Sequence, residues 1–341
     1  MTKVQVVWVG KVAATKGMVT KEVGMEEVRS VRRLVEEHGR LGAIARHDDR
    51  RLIEIVAGYG ADEEVGIPNF LYSGWCMTAL PHSRISDNEV WRLENGNVVL
   101  LVEPGRRARL GEVDEFVGVP YGPTARLILN YLQSEALRTN SRSIELGRSM
   151  NAWFGRMDKK AGGNSYRLAR EQAERIATCR FTFHSERDGV RAIRNQSIVE
   201  EGLLFLAGQE RIYDDRQQSL FREGVVLSES FFRSLKEHAV PLEERAIKHV
   251  SNSSMTIDIY CWLAYRLHAL KRPTPVSWAA LHSQFGRGYG QLAAFKRQLL
   301  GKTLPAALAV YPEAADRGVE VTDNGLILKP ARPPITARAA A

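Results

Sequence analysis

Lys159 and Lys160 stand just before a glycine turn, Ala161-Gly162-Gly163, and Arg167, Arg170 and Arg175 follow it at helical spacing. Arginine carries a planar fork of donors that fits the O6/N7 edge of guanine, whereas lysine is a point charge suited to phosphate. A helix with such arginines along it, and with Lys159, Lys160 and Asn164 at its start, has the donors to enter a major groove and grip the flanking phosphates. Arg187, Arg191 and Arg194 follow on a hairpin pattern closed by Asp188-Gly189, the shape of a wing lying along the DNA backbone. A similar order returns downstream: Gly286-Arg287-Gly288-Tyr289-Gly290, then Lys296, Arg297 and Lys302. The chemistry these residues suggest is DNA binding. Arg167, Arg170 and Arg175 are the candidates for base edges. Lys159, Lys160, Asn164, Arg187, Arg191, Lys296, Arg297 and Lys302 are the candidates for phosphates, and Arg194 and Arg287 belong to the same two surfaces.

Charge distribution supports this more than net charge does. The chain of 341 residues carries +8 overall. Residues 141–199 hold 12 Lys/Arg against 6 Asp/Glu, and residues 271–341 hold 10 against 4, so the remainder is net acidic. Two separate basic blocks suit two phosphate-contacting surfaces, each releasing counterions on binding. The competing reading of the first block is a solvated surface helix with i,i+4 ion pairs such as Arg170 with Glu174.

The elements around these residues follow from periodicity. Ser165–Cys179 predicts an amphipathic helix with Leu168, Ala169, Ala173, Ile176 and Ala177 inward, capped by Asn164 and Ser165. Arg180–His184 alternates at period two and returns over Val190–Val199. Upstream, the pattern predicts a helix over Pro123–Thr139, a strand over Ser143–Leu146 and a helix over Gly147–Met157. Helix, short strand, helix, helix and hairpin is the winged-helix order. Further along come helices over Glu229–His238, from Pro241 to about His249, and over Met255–Leu270, the last apolar nearly all round. A second winged unit follows: Ser277 caps Trp278–Phe285, Gln291–Leu300 is a helix kinked or restarted at Pro305, and Asp323-Asn324-Gly325 turns a hairpin. Asn95-Gly96 marks another hairpin within residues 67–103, with a linker from Pro104 to Val119.

The expected fold class is therefore α+β: two tandem winged-helix domains behind a small N-terminal α/β extension. The expected blocks are a helical region over 1–66, a hairpin-rich segment over 67–118, winged-helix domains over 119–239 and 240–330, and a disordered tail over 331–341. Cys76, Cys179 and Cys261 form no CxxC and read as reduced, structural thiols of a cytoplasmic protein. No apolar run reaches membrane-spanning length.

Several enzyme classes lack their residues. No GxxxxGK[ST] loop, HxH, HExxH or Gly-x-Ser-x-Gly occurs. Gly286, Gly288 and Gly290 follow no strand and have no acidic residue at dinucleotide spacing. Neither a metal nor a cofactor is expected, and nothing argues for an enzyme.

Longer segments go beyond pattern. Leu71-Tyr-Ser-Gly-Trp-Cys-Met-Thr-Ala-Leu-Pro-His82, Leu101-Val-Glu-Pro-Gly-Arg106, Val119-Pro-Tyr-Gly-Pro-Thr-Ala-Arg-Leu-Ile-Leu129 and Ile144-Glu-Leu-Gly-Arg-Ser149 resemble the plasmid-encoded RepA family of replication initiators. So do Arg170–Ile176 with Cys179–Phe183, Leu235–Leu242, Asp258–His268, and Ser277–Leu281 with Gln284–Gly286. The resemblance covers about residues 67–330. It implies a non-enzymatic protein that binds repeated sites (iterons) in double-stranded origin DNA and controls copy number. It also implies work with a host replication initiator and the replicative helicase or its loader. Such initiators dimerise in one role and act as monomers in another, so a homodimer and a monomer both stay open. The alternatives are a winged-helix repressor without initiator activity and a basic protein-interaction module.

Overall fold

The structure, a computed structural model, describes residues 23–62, 66–96, 98–108, 111, 113–146, 152, 154–157, 163–187, 190–203 and 224–335. Two helices open it. α1 (Val23–Ile44) breaks at Gly39, so Leu41–Ile44 continues it only past a kink. α2 (Arg50–Ala61) starts where Asp49 accepts the Leu52 N–H at 2.9 Å, and it runs past Gly58 through residues whose composition suggests a loop. Burial of Val56 and Tyr59 on the core explains the extension.

β1 (Pro68–Tyr72) leads into α3 (Ser73–Met77), and Asn95-Gly96 joins β2 (Trp91–Asn95) to β3 (Val98–Glu103). The predicted linker contains a two-residue ladder, β4 (Arg106–Arg107) with β5 (Glu115–Phe116). Then come α4 (Gly122–Thr139) and β6 (Ser143–Glu145). Of the helix predicted over 147–157, residues 152 and 154–156 are helical. α5 (Gly163–Thr178), β7 (Arg180–Arg187), β8 (Val190–Ser197), β9 (Val199–Leu203) and β10 (Gly224–Leu227) follow. α6 (Glu229–Glu237) is capped by the Ser228 hydroxyl, and β11 (Ala239–Glu243) and α7 (Glu244–Val250) come next. The last region holds α8 (Ser254–Ala269), β12 (Thr274–Ser277), α9 (Trp278–Phe285), α10 (Leu292–Gln298), α11 (Leu304–Ala309), β13 (Val319–Thr322) and β14 (Gly325–Leu328).

The result is a mixed helix-and-sheet α+β fold. The largest sheet has the order β2-β3-β7-β8, so the 67–118 and 119–239 blocks share it. Val102 stands opposite Phe181 and Leu100 opposite Phe183. Trp75 packs edge-on against both phenylalanines, at 5.5 and 5.2 Å between ring centroids. β6-β10-β9 and β12-β14-β13 form three-stranded sheets, and β1 pairs with β11.

Two local expectations, over residues 239–243 and 331–335, give way to tertiary structure. Residues 239–243, where the pattern predicts a helix starting at Pro241, form β11, with Pro241 opposite Phe70. Pro275 lies in β12 opposite Ile327, and β12 is an edge strand, where a missing N–H is tolerated. Gly325, at φ +155°, lets these strands close, because a Cβ there would run into the Val276 carbonyl. Residues 331–335, expected in a disordered tail, lie on the core: Ala331 N–H reaches Leu267 O at 3.2 Å, and Ile335 is buried. Residues 336–341, the rest of that tail, lie outside the described residues. Pro305 behaves as predicted, since a π turn over Leu299–Thr303 precedes it and α11 restarts with it in the first turn.

α8 is buried nearly all round, including Ile257, Tyr260, Trp262 and Leu263. One ion pair fixes it against α4. Arg126 donates to both carboxylate oxygens of Asp258, at 3.0 and 2.8 Å, and also to the Leu80, Pro81 and Gly122 carbonyls. Beside it His82 joins three segments: the Ser254 hydroxyl lies 3.0 Å from Nδ1 and the Phe285 carbonyl 3.0 Å from Nε2. Burial, and then the nearby Arg126 cation, hold the His82 pKa below its usual value. The unfolded chain therefore binds a proton near pH 6.5 that the folded chain resists. Stability should be complete above about pH 6.5 and fall as pH drops below it. In urea unfolding at pH 7 and pH 5, His82→Gln should lose less stability than the parent chain, and parallel losses would refute this.

Candidate nucleic-acid interface

α5 begins at Gly163, so Asn164 is a helical residue and not the predicted cap. The buried stripe of α5 contains Ala169, Ala173 and Ile176, as the pattern requires, but also Gln172 and Arg175. Arg175 is 2% exposed and is therefore not a base-reading residue. Its guanidinium donates to Glu171 at 3.1 Å, to Asp87 at 3.0 Å and to the Val119 carbonyl at 3.1 Å, and it lies 5.2 Å from the Tyr121 ring centroid. Gln172 accepts the Tyr121 N–H at 2.8 Å. The physical reason is the neighbouring loop, whose backbone needs partners inside the core. Gly118, at φ +83°, leaves the room: a Cβ there would collide with the Arg175 guanidinium and the Asp87 carboxylate. The signal was in the sequence, since 169, 172, 173, 175 and 176 fall on one helical stripe.

Arg175→Ala should act on stability. We expect a loss of about 1–3 kcal/mol in denaturant unfolding, since Asp87 and Glu171 keep part of their hydration. A variant of unchanged stability and lowered DNA affinity would restore Arg175 to the reading surface.

Arg167 is exposed on α5 and Arg170 half-buried. Glu174 is held by Arg107 of β4, its Oε1 2.6 Å from Nε, and Glu171 by Arg175. Both carboxylates of α5 are thus neutralised by arginines, which lowers their repulsion of an approaching phosphate. The partnership with β4 escapes a reading of the sequence because a two-residue strand has no readable period.

Lys159 and Lys160 lie outside the described residues. Arg187 ends β7, and in β8 Arg191 stands opposite Glu186 and Arg194 opposite Phe183. These two positions are three apart on a period-two strand, so they belong to opposite faces of the sheet. The predicted hairpin exists, but it is not free-standing, because β3 pairs along β7 from Val98 to Glu103.

In the second basic block, Arg287, Arg297 and Lys302 are exposed and Lys296 half-buried. Among the described residues, none of the four has a carboxylate within salt-bridge distance. The glycine turn is fixed from within: Tyr289 N–H reaches Gly286 O at 2.7 Å, and His282 Nε2 lies 3.0 Å from the Tyr289 carbonyl. Lys296 Nζ sits 4.7 Å above the Trp278 ring, and Trp278 donates to the Asp323 carbonyl at 2.7 Å, tying α9 to the β13–β14 turn. Arg287 lies 4.5 Å over the Trp91 ring of β2, and Ser283 donates to the Glu94 carbonyl at 2.8 Å. α9 is thereby seated on the edge of the four-stranded sheet whose far strands carry Arg187, Arg191 and Arg194. Neither Trp partnership was legible, since each joins residues separated far along the chain or across a turn.

A family model described as "Plasmid encoded RepA protein" matches residues 119–279. No curated protein matches the chain. Among solved structures, domains 2 and 3 of RctB (selenomethionine derivative) are 11% identical with a TM-score of 0.45, covering 75% of this chain and 97% of that one. A second structure of RctB domains 2–3 is 11% identical with a TM-score of 0.39, covering 72% and 82%.

Proposed function

We propose, from the match of residues 119–279 to the plasmid-encoded RepA family model, that this chain is a replication initiator. It binds repeated origin sites in double-stranded DNA through two tandem winged-helix units. The first unit runs α4, β6, α5 and the β7–β8 hairpin; the second runs α8, β12, α9, α10 and the β13–β14 hairpin. α5 and α10 are the recognition helices. The family match carries this reading, because it spans the whole first unit and enters the second. The exposed Arg167, Arg297 and Lys302 support it.

The protein acts by binding, without a covalent step. It helps open the origin and brings in the host initiator and the replicative helicase or its loader. A plasmid holding only this gene and its flanking non-coding DNA tests the initiator role. Stable maintenance is the expected result. Loss of the plasmid, with specific DNA binding intact, would make the protein a repressor.

Arg297 and Lys302 hold phosphates in this reading. Arg297→Ala with Lys302→Ala should weaken binding to all DNA sequences alike. It should also reduce the salt slope of log K by about 0.9 for each phosphate no longer neutralised. An unchanged slope in titrations at several salt concentrations would remove them from the interface.

A further inference from the structure

We propose that α1 is a positioning element of the second winged unit, and that its Arg29 and Arg32 are positioning residues that fix the root of the β13–β14 wing. The inference rests on the reading of that hairpin as part of the DNA-binding surface. Arg29 Nη2 donates to the Ala315 carbonyl at 2.9 Å and also to the Asp316 carbonyl. Arg32 Nη1 lies 3.3 Å from the Asp316 carboxylate. Ala315 and Asp316 belong to a π turn over Ala314–Gly318. Carbonyls in the last turn of a helix have no partner within it, and an arginine can cap them from outside. Here the cap comes from 286 residues upstream. Val28 and Val31, beside the two arginines on the helix, are fully buried and anchor it in the core.

The capped turn passes its orientation straight to the wing. Val319, the first residue of β13, follows Gly318 directly. Lys329 N–H reaches the Gly318 carbonyl at 2.8 Å and ties the returning strand to the same point. A Cβ on Gly318 would stand 2.9 Å from Leu267 Cδ1, so the turn sits tight on α8. The root of the wing is therefore held between α8 and α1, while Trp278 holds its tip through the Asp323 carbonyl. Strands of four residues have little ladder of their own to fix a direction. Holding them in place beforehand lowers the ordering cost of binding. The segment matched by the family model, residues 119–279, includes neither α1 nor this hairpin.

Hydrogen exchange of the full chain, measured without DNA, tests the positioning. In Arg29→Ala with Arg32→Ala, the amides of Val319–Leu328 should exchange about tenfold faster, while those of α4 and α5 keep the parent rates. Affinity for the DNA flanking the gene should fall about three- to tenfold. Arg29→Lys with Arg32→Lys keeps both charges but loses the fork that spans two carbonyls, so it should behave like the alanine variant. This second variant decides if the first does not fold. Unchanged exchange of the hairpin, or faster exchange throughout the chain, would overturn the proposal. So would a loosened hairpin with unchanged affinity, or lysines that restore affinity without slowing exchange. Failure of the parent chain to bind the flanking DNA would instead count against the initiator reading, and the exchange result does not depend on it.

Discussion

Arg126→Ala should cost about 3–5 kcal/mol of folding stability, a loss as large as truncating a fully buried aromatic side chain. The arginine is 6% exposed and Asp258 8% exposed, so truncation leaves a carboxylate inside the core with its bidentate partner gone. The Leu80 and Pro81 carbonyls lose their donors as well. Against a domain stability of about 5–15 kcal/mol, this is enough to leave a marginal chain largely unfolded at body temperature. Arg126→Met with Asp258→Leu should cost less than Arg126→Ala alone, because no charge is then stranded. Guanidinium unfolding of the three proteins checks this. A loss under about 1 kcal/mol for Arg126→Ala, or a double variant worse than the single, would contradict it.

Arg167→Ala should have the largest effect on specific DNA binding at little cost in stability. Its side chain is exposed on α5, beyond the buried stripe that ends in the Arg175 clamp. Removing a bidentate hydrogen bond to a base costs about 1–3 kcal/mol, roughly 5- to 150-fold in affinity for the specific site. Binding to unrelated DNA should change far less. A uniform loss on both DNAs would make Arg167 a phosphate ligand, and no loss on either would remove α5 as the reading helix.

How much of this was legible depended on how local the determining physics is. Ser277 accepts a backbone N–H at the helix start its position predicts, at 3.2 Å, and Ser228 and Ser253 cap their helices in the same way at 3.3 Å. Asn95-Gly96 turns its hairpin, and the α8 and α5 periods hold. Pairing between distant segments was not legible. β3 finds β7 across more than seventy residues, and β1 finds β11 across more than a hundred and sixty. Pro241 and Pro275 argue against strands locally, yet both lie in strands at a sheet edge, where a missing N–H is tolerated. Arg175 departs from its expected role for the opposite reason. Its type points outward, and only its place on the Ala169–Ile176 stripe points inward.

The central claim is sequence-specific binding to repeated DNA sites. Its most direct test is a gel-shift titration of the purified chain on the non-coding DNA flanking its own gene, against scrambled DNA of equal length, at two salt concentrations. The account predicts stepwise retardation on the flanking DNA alone, surviving the higher salt better than any binding to the scrambled probe. Equal, salt-sensitive retardation of both probes, or none of either, would contradict it.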